Sequence, residues 1–224
     1  MKNLVRSMIA LVTLAAGLGL SSNASAQDAK AGDAKAGEKK AQMCIGCHGI
    51  PDYKASFPEV YRVPMIAGQN PKYIVSALTQ YKKGDRKHPT MHGVATSLND
   101  QDLADLAAFY STEAKADPVP AALTKAVPAN VSALLAKGNC ASCHGANYSA
   151  PIDPSYPKLA GQHGDYLYAA LRGYQIDKNP QVGRNNAIMQ GMSRLLTHAE
   201  AKTLATYFAS LPGELKTVPQ SRWR

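Results

Sequence analysis

Apolar residues return every three or four positions in four stretches of the chain, and no stretch alternates convincingly enough to predict a strand. Ile74, Ala77, Leu78 and Tyr81 follow the i, i+3, i+4, i+7 pattern of a helix face, with Asn70-Pro71 placed to cap and start it. Leu167, Ala170, Leu171 and Tyr174 repeat that face. A second kind of helix presents Leu103, Leu106, Ala107 and Tyr110, opening at Asn99 with Asp102 three residues on. Its counterpart presents Ala201, Leu204, Ala205 and Phe208 behind Thr197 and Glu200, the spacing of a capping box. Shorter helices are predicted at about 32–43 and 131–137. The fold class is all-α.

The likeness of these faces extends to whole blocks. Residues 64–81 and 157–174 align without a gap and share eight of eighteen positions. CIGCH at 44–48 recurs as CASCH at 140–144, and 91–110 lines up with 189–208. Three blocks in one order describe two homologous domains, 27–113 and 130–224. Between them, 114–129 holds Pro118, Pro120 and Pro128 among small residues and reads as an extended, semi-rigid linker. Domains this small bury little apolar surface, and a large apolar cofactor would serve each as a staple.

Residues 1–26 read as an address. Lys2 and Arg6 precede 13 apolar or small residues at 8–20, too few to span a bilayer, and Ala24-Ser25-Ala26 is a small-x-small cleavage site. Export to the periplasm of a Gram-negative cell is expected, with cleavage after Ala26. Loss of Lys2 and Arg6 takes the formal charge from +9 to about +7. Two copies of DAKAG (28–32 and 33–37) then read as a frayed tail leading into a helix. Export makes nucleic acid an implausible partner for a basic chain. Lys82, Lys83, Arg86 and Lys87 form either a patch that steers acidic partners or a plain solvated charge run.

The four cysteines, Cys44, Cys47, Cys140 and Cys143, fall into two C-x-x-C-H motifs, the attachment signature of c-type haem. The spacing brings both sulfurs to one porphyrin edge, and His48 or His144 then projects an imidazole at iron. A thioredoxin-like dithiol would need flanking strands, structural zinc four closed ligands, and a disulfide leaves the repeated histidine unexplained. For the sixth position, Met91 and Met189 coincide in the repeat alignment, each on a loop before the last helix. A thioether there favours ferrous iron and suits an electron carrier. Met192 is the rival for the second site, although Val94 is its counterpart in the first. Met43 and Met65 read as packing; His88, His92, His163 and His198 are alternative sixth ligands by chemistry but, unmatched by histidine across the repeat, read as surface residues. The Pro64 and Pro157 carbonyls can accept the second ring N–H of each ligating histidine, though a turn proline accounts for the spacing equally well.

Tandem C-x-x-C-H domains, each with Pro-x-Ile/Leu-Ala-Gly-Gln and a late methionine before an amphipathic helix, resemble the di-haem cytochrome c4 family. The resemblance covers essentially the whole exported chain. It implies two class I cytochrome c domains related by a pseudo-two-fold axis, with two covalent haem c groups whose edges face across the interface. Carried over, Cys44, Cys47, Cys140 and Cys143 form the thioethers, His48 and His144 are the proximal ligands, and Met91 and Met189 are the axial methionines. The family implies a carrier, not an enzyme. It moves electrons between respiratory donors and a membrane-bound terminal oxidase, with no substrate at iron and a peripheral membrane association open to it. The alternatives are a di-haem oxidoreductase (peroxidase or sulfur-compound dehydrogenase) and an electron-transfer subunit of a dehydrogenase complex. The loops before Met91 and Met189 differ, so the two haem environments should not be identical.

Overall fold

The computed structural model describes residues 31–115, 118–124 and 126–219. The expected export signal, its cleavage site and the first residues of the DAKAG repeat lie outside these. The first half contains α1 (Ala34–Lys40), α2 (Gln42–His48), α3 (Pro71–Lys83), α4 (Pro89–Thr96) and α5 (Asp100–Glu113). The second contains α6 (Ala129–Lys137), α7 (Ala141–His144), α8 (Gly164–Gln175), α9 (Ala187–Arg194) and α10 (His198–Ser210). Antiparallel pairs of two-residue strands also form, β1 (Lys54–Ala55) with β2 (Tyr61–Arg62), and β3 (Arg86–Lys87) with β4 (Gly183–Arg184). Two residues cannot display a period of two, which is why no strand was expected.

Local chemistry explains where the long helices begin. Asn99 and Asp102 exchange bonds of 2.9 Å in each direction, and Thr197 and Glu200 close the equivalent box at 2.7 and 3.2 Å. Pro71 opens α3, and Gly84 ends it in the left-handed region at φ 81°. Asn70, however, does not cap α3 with its side chain. Its amide instead donates to the Tyr156 carbonyl of the other half at 3.2 Å.

The second DAKAG is not frayed. Asp33 caps α1 by accepting from the Lys35 and Ala36 N–H groups. Gly37 then lets α1 sit directly on α5, where a Cβ would stand 2.1 Å from the Asp105 carbonyl oxygen. Asp105 is buried at this crossing, takes the Asp33 N–H at 2.8 Å and pairs with Lys40 at 2.6 Å.

Each half has its own core. Ile45, Ile74, Leu103, Leu106 and Tyr110 pack in the first; Val131, Leu167, Leu204 and Phe208 pack in the second. The segment joining them has no helix or strand before α6 among its described residues, but it is not free. Leu123 and Val127 lie against the second core, and Asn147 donates to the Pro120 carbonyl at 2.8 Å.

Contacts between the halves are reciprocal. In the β3–β4 pair Arg86 stands opposite Arg184, and each lies five residues before its aligned methionine. Pairing like with like in opposite directions is what a pseudo-two-fold axis requires. Arg62 closes another contact, its backbone and guanidinium both reaching Asp165 at 3.0 Å. The chain end then returns to the first half, where the Lys216 N–H donates to the Ala67 carbonyl at 3.0 Å and Val218 packs on the core.

Candidate functional site

Both C-x-x-C-H motifs lie in helical turns. Cys44, Cys47 and His48 are within α2, while Cys140 is the N-cap of α7, which ends at His144. Residues three apart share one side of a helix, so each pair of thiols has a common face with the histidine next in line. None of the four cysteines forms a disulfide. Burial pushes the Cys44 thiol up to about 11 against a pull from Tyr110, and burial likewise raises Cys140. A redox dithiol needs the opposite shift, so a thioredoxin-like role fails on electrostatics as well as on fold.

The two histidines are fixed alike. His48 Nδ1 faces the Pro64 carbonyl oxygen at 2.8 Å and His144 Nδ1 faces that of Pro157 at 3.0 Å. A carbonyl only accepts, so Nδ1 carries the proton and Nε2 keeps its lone pair for a metal. Burial holds both rings below the ordinary histidine value, partly offset by the carbonyl bond, and keeps them neutral. The acceptor role read for the two proline carbonyls is therefore present in both halves.

Met91 and Met189 do not lie on loops. Each is the third residue of an eight-residue helix, α4 or α9, too short to show its period in sequence. Their N–H groups are held by the N-cap side chains, Met91 by His88 Nδ1 at 3.3 Å and Met189 by Asn186 Oδ1 at 3.0 Å. The caps share one conformation, φ −149° and ψ 110° at His88 against φ −150° and ψ 113° at Asn186. The alignment of the two methionines is thus a structural equivalence. Met192 sits one turn further on and is exposed.

The remaining candidates are sorted by contacts. His88 is not a surface residue: it is partly buried, with its ring edge-on to Phe57 and Tyr81. Its Nδ1 accepts from Met91, leaving Nε2 protonated and unable to bind metal. His163, also expected at the surface, is partly buried as the N-cap of α8; His92 and His198 are exposed. Met43 is exposed rather than packed. The basic cluster dissolves on inspection: Lys82 donates to the Leu98 carbonyl at 2.6 Å, Lys87 to that of Asn179, and Arg86 is only 4 % exposed. Lys83 alone of the four is exposed.

Two features went unread in the sequence. Arg86 stacks over Tyr73 and Tyr81 at 5.3 and 5.7 Å, and Arg184 over Tyr166 and Tyr174 at 5.3 and 5.6 Å. Among the described residues neither arginine makes an ion pair, although buried charges normally find a counter-charge. The signal was an Arg-x-x-x-x-Met spacing present twice. The second feature is Gln69 and Gln162, 4 % and 3 % exposed, the last residues of the repeated Ala-Gly-Gln.

The donor set fits a haem c in each half. Paired thiols on one helical face, a neutral imidazole with its second nitrogen engaged and a thioether suit attachment and ligation. Two arginines lacking a carboxylate suit the propionates. Together with the helical fold, this defines a two-domain c-type cytochrome.

Comparison with known proteins agrees. The cytochrome c family model matches residues 34–112 and 128–212. Cytochrome c4 of Azotobacter vinelandii is 33 % identical over 218 residues, 90 % of this chain and 98 % of that one. A thiosulfate dehydrogenase electron acceptor of Stutzerimonas stutzeri is 30 % identical over 206 residues, 88 % of this chain and 92 % of its own. The crystal structure of reduced recombinant cytochrome c4 from Pseudomonas stutzeri superposes with a TM-score of 0.58 at 28 % identity, covering 81 % of this chain and all of that one. The chain belongs to the cytochrome c family and, within it, to the di-haem cytochrome c4 family. It carries two covalently bound haem c groups and serves electron transport.

Proposed function

We propose that the chain is an exported, periplasmic electron carrier that shuttles between respiratory redox proteins, with a membrane-bound terminal oxidase as acceptor and no substrate bound at iron. Each bound haem supplies a one-electron couple between ferric and ferrous iron. The chain's residues do the rest. Cys44 and Cys47, then Cys140 and Cys143, hold the porphyrin edges through thioethers. His48 and His144 present Nε2, and the proline carbonyls fix each ring. Met91 and Met189 would each offer a thioether sulfur to iron, and Arg86 and Arg184 would offset the charge of the propionates. The observation that carries this reading is the duplicated geometry: in both halves a carbonyl-locked imidazole, and a methionine whose N–H is held by an N-cap of the same backbone conformation. An enzyme working on a small molecule would leave one half open.

Met91→Ala tests it. The first haem should stay attached, bind added carbon monoxide and show a lowered potential; an unchanged spectrum and potential would remove Met91 as a ligand. Carbon monoxide binding by the native protein would favour the enzyme reading instead.

A second reading concerns the donor, and the likeness to thiosulfate dehydrogenase electron acceptors favours it. Rapid reduction by thiosulfate in the presence of a thiosulfate dehydrogenase, and none by thiosulfate alone, is the expected result. Among the described residues no helix is long and apolar enough to cross a membrane.

A further inference from the structure

The residues that hold each histidine do not belong to one domain. His48 donates from Nδ1 to the Pro64 carbonyl at 2.8 Å, and the N–H of that same Pro64–Met65 peptide donates to Oε1 of Gln162, in the other domain, at 3.0 Å. The mirror arrangement is complete. His144 donates to Pro157 at 3.0 Å, and the N–H of the Pro157–Lys158 peptide donates to Oε1 of Gln69 at 2.9 Å.

Each glutamine uses both ends of its amide. Gln162 Nε2 donates back to the Met65 carbonyl at 2.8 Å, and its Oε1 also takes the His163 N–H at 3.0 Å. Gln69 Nε2 donates to the Lys158 carbonyl at 3.2 Å, and its Oε1 takes the Asn70 N–H at 3.0 Å. Two N–H groups on one side and a carbonyl on the other leave a single consistent orientation for each amide. Both glutamines are buried, so water does not compete.

A peptide unit is conjugated. An acceptor on its N–H draws charge onto its carbonyl oxygen and strengthens the bond that this oxygen takes from the next donor. Here that donor is the imidazole proposed to ligate iron. A stronger Nδ1–H bond makes the ring a more basic ligand, which favours ferric iron.

We infer that Gln69 and Gln162 are positioning residues that act across the domain interface, each tuning the proximal histidine, and so the reduction potential, of the opposite domain's haem. This rests on His48 and His144 being iron ligands. The two loops are one device used twice: each gives a proline carbonyl to its own histidine and a glutamine amide to its neighbour's.

The test is made on the holoprotein with haem-resolved potentiometry, together with NMR of the ferrous form, in which the His48 and His144 Nδ1 protons are followed separately. Gln162→Leu should raise the potential of the first haem, moving its ferric/ferrous ratio by about two- to threefold at a fixed poise, and should shift the His48 proton resonance. The second haem, in the domain that carries the substitution, should hold its value. Gln69→Leu should do the reverse. Gln162→Glu keeps an acceptor for the Met65 N–H and should return the first haem to the wild-type potential or below it.

Equal shifts at both haems, a shift only in the substituted domain, or no shift would overturn the inference. If Gln162→Leu does not fold, Gln162→Glu and Gln69→Leu still have to show the crossed pattern. Absence in the wild-type ferrous spectrum of upfield methionine methyl signals and of an iron-ligated His48 would instead sink the ligand assignment beneath it.

Discussion

The two halves descend from one pattern but solve the same problem with different side chains. In the first, α1 rests on α5 through Gly37 and a buried Asp105 held by Lys40; in the second, Thr203 takes the aspartate's aligned place, and the matching ion pair, Lys137 with Glu200, lies at the surface. Tyr110 of the first core becomes Phe208 in the second, while the aromatic beside Cys140 is Tyr148, from a loop. His88 caps α4 where Asn186 caps α9. What stays constant is the cysteine pair, the carbonyl-bound histidine, the capped methionine and the glutamine clamp. The difference teaches that packing drifts freely once the donors around a cofactor are fixed.

Substitutions in the cores put the largest strain on that comparison. Leu106 and Leu204 are aligned and both 1 % exposed, so Leu106→Ala and Leu204→Ala should each cost about 2–5 kcal/mol. The interface is reciprocal and polar, so both should lower the midpoint of one shared unfolding transition; two separated transitions in denaturant would show that the halves melt independently.

Acid should discriminate between the halves next. The Asp33 N–H and then Lys40 pull the Asp105 carboxyl down to about 2 from its ordinary value of 3.8. A depressed folded-state pKa means stability that is present above pH ~4 and lost as pH falls toward ~2. Asp105→Asn should flatten the acid limb of a stability–pH profile in that window. An unchanged profile would mean that Asp105 contributes nothing to it.

The smallest effect is expected from making one half resemble the other. The Tyr110 hydroxyl is buried beside Cys44 without a well-formed hydrogen bond. Tyr110→Phe copies Phe208 and should be neutral or stabilising by up to about 1 kcal/mol in a thermal melt. A clear loss would show that the hydroxyl has a partner in the holoprotein.

These contrasts also explain what could be read without coordinates. Long helices with caps at both repeats were legible because periodicity, Asn99, Thr197 and Pro71 each signal locally. So was the haem chemistry, since the thiols and histidine are adjacent in the chain. The eight-residue helices under Met91 and Met189 were hidden because two turns do not establish a period. Arg86 is neither a steering charge nor a solvated one, the two readings its sequence allowed, because its environment, Tyr73, Tyr81 and the paired strand around Arg184, comes from sequence up to 98 residues away. Gln69 and Gln162 stood in plain view in the repeated block, but only the interface reveals that each serves the opposite histidine.

The returning tail sets an order of events. Lys216 and Val218, which follow the second half in the chain, complete contacts in the first half. The amino-terminal half is therefore unfinished at one edge until the segment that follows α10 has folded back onto it.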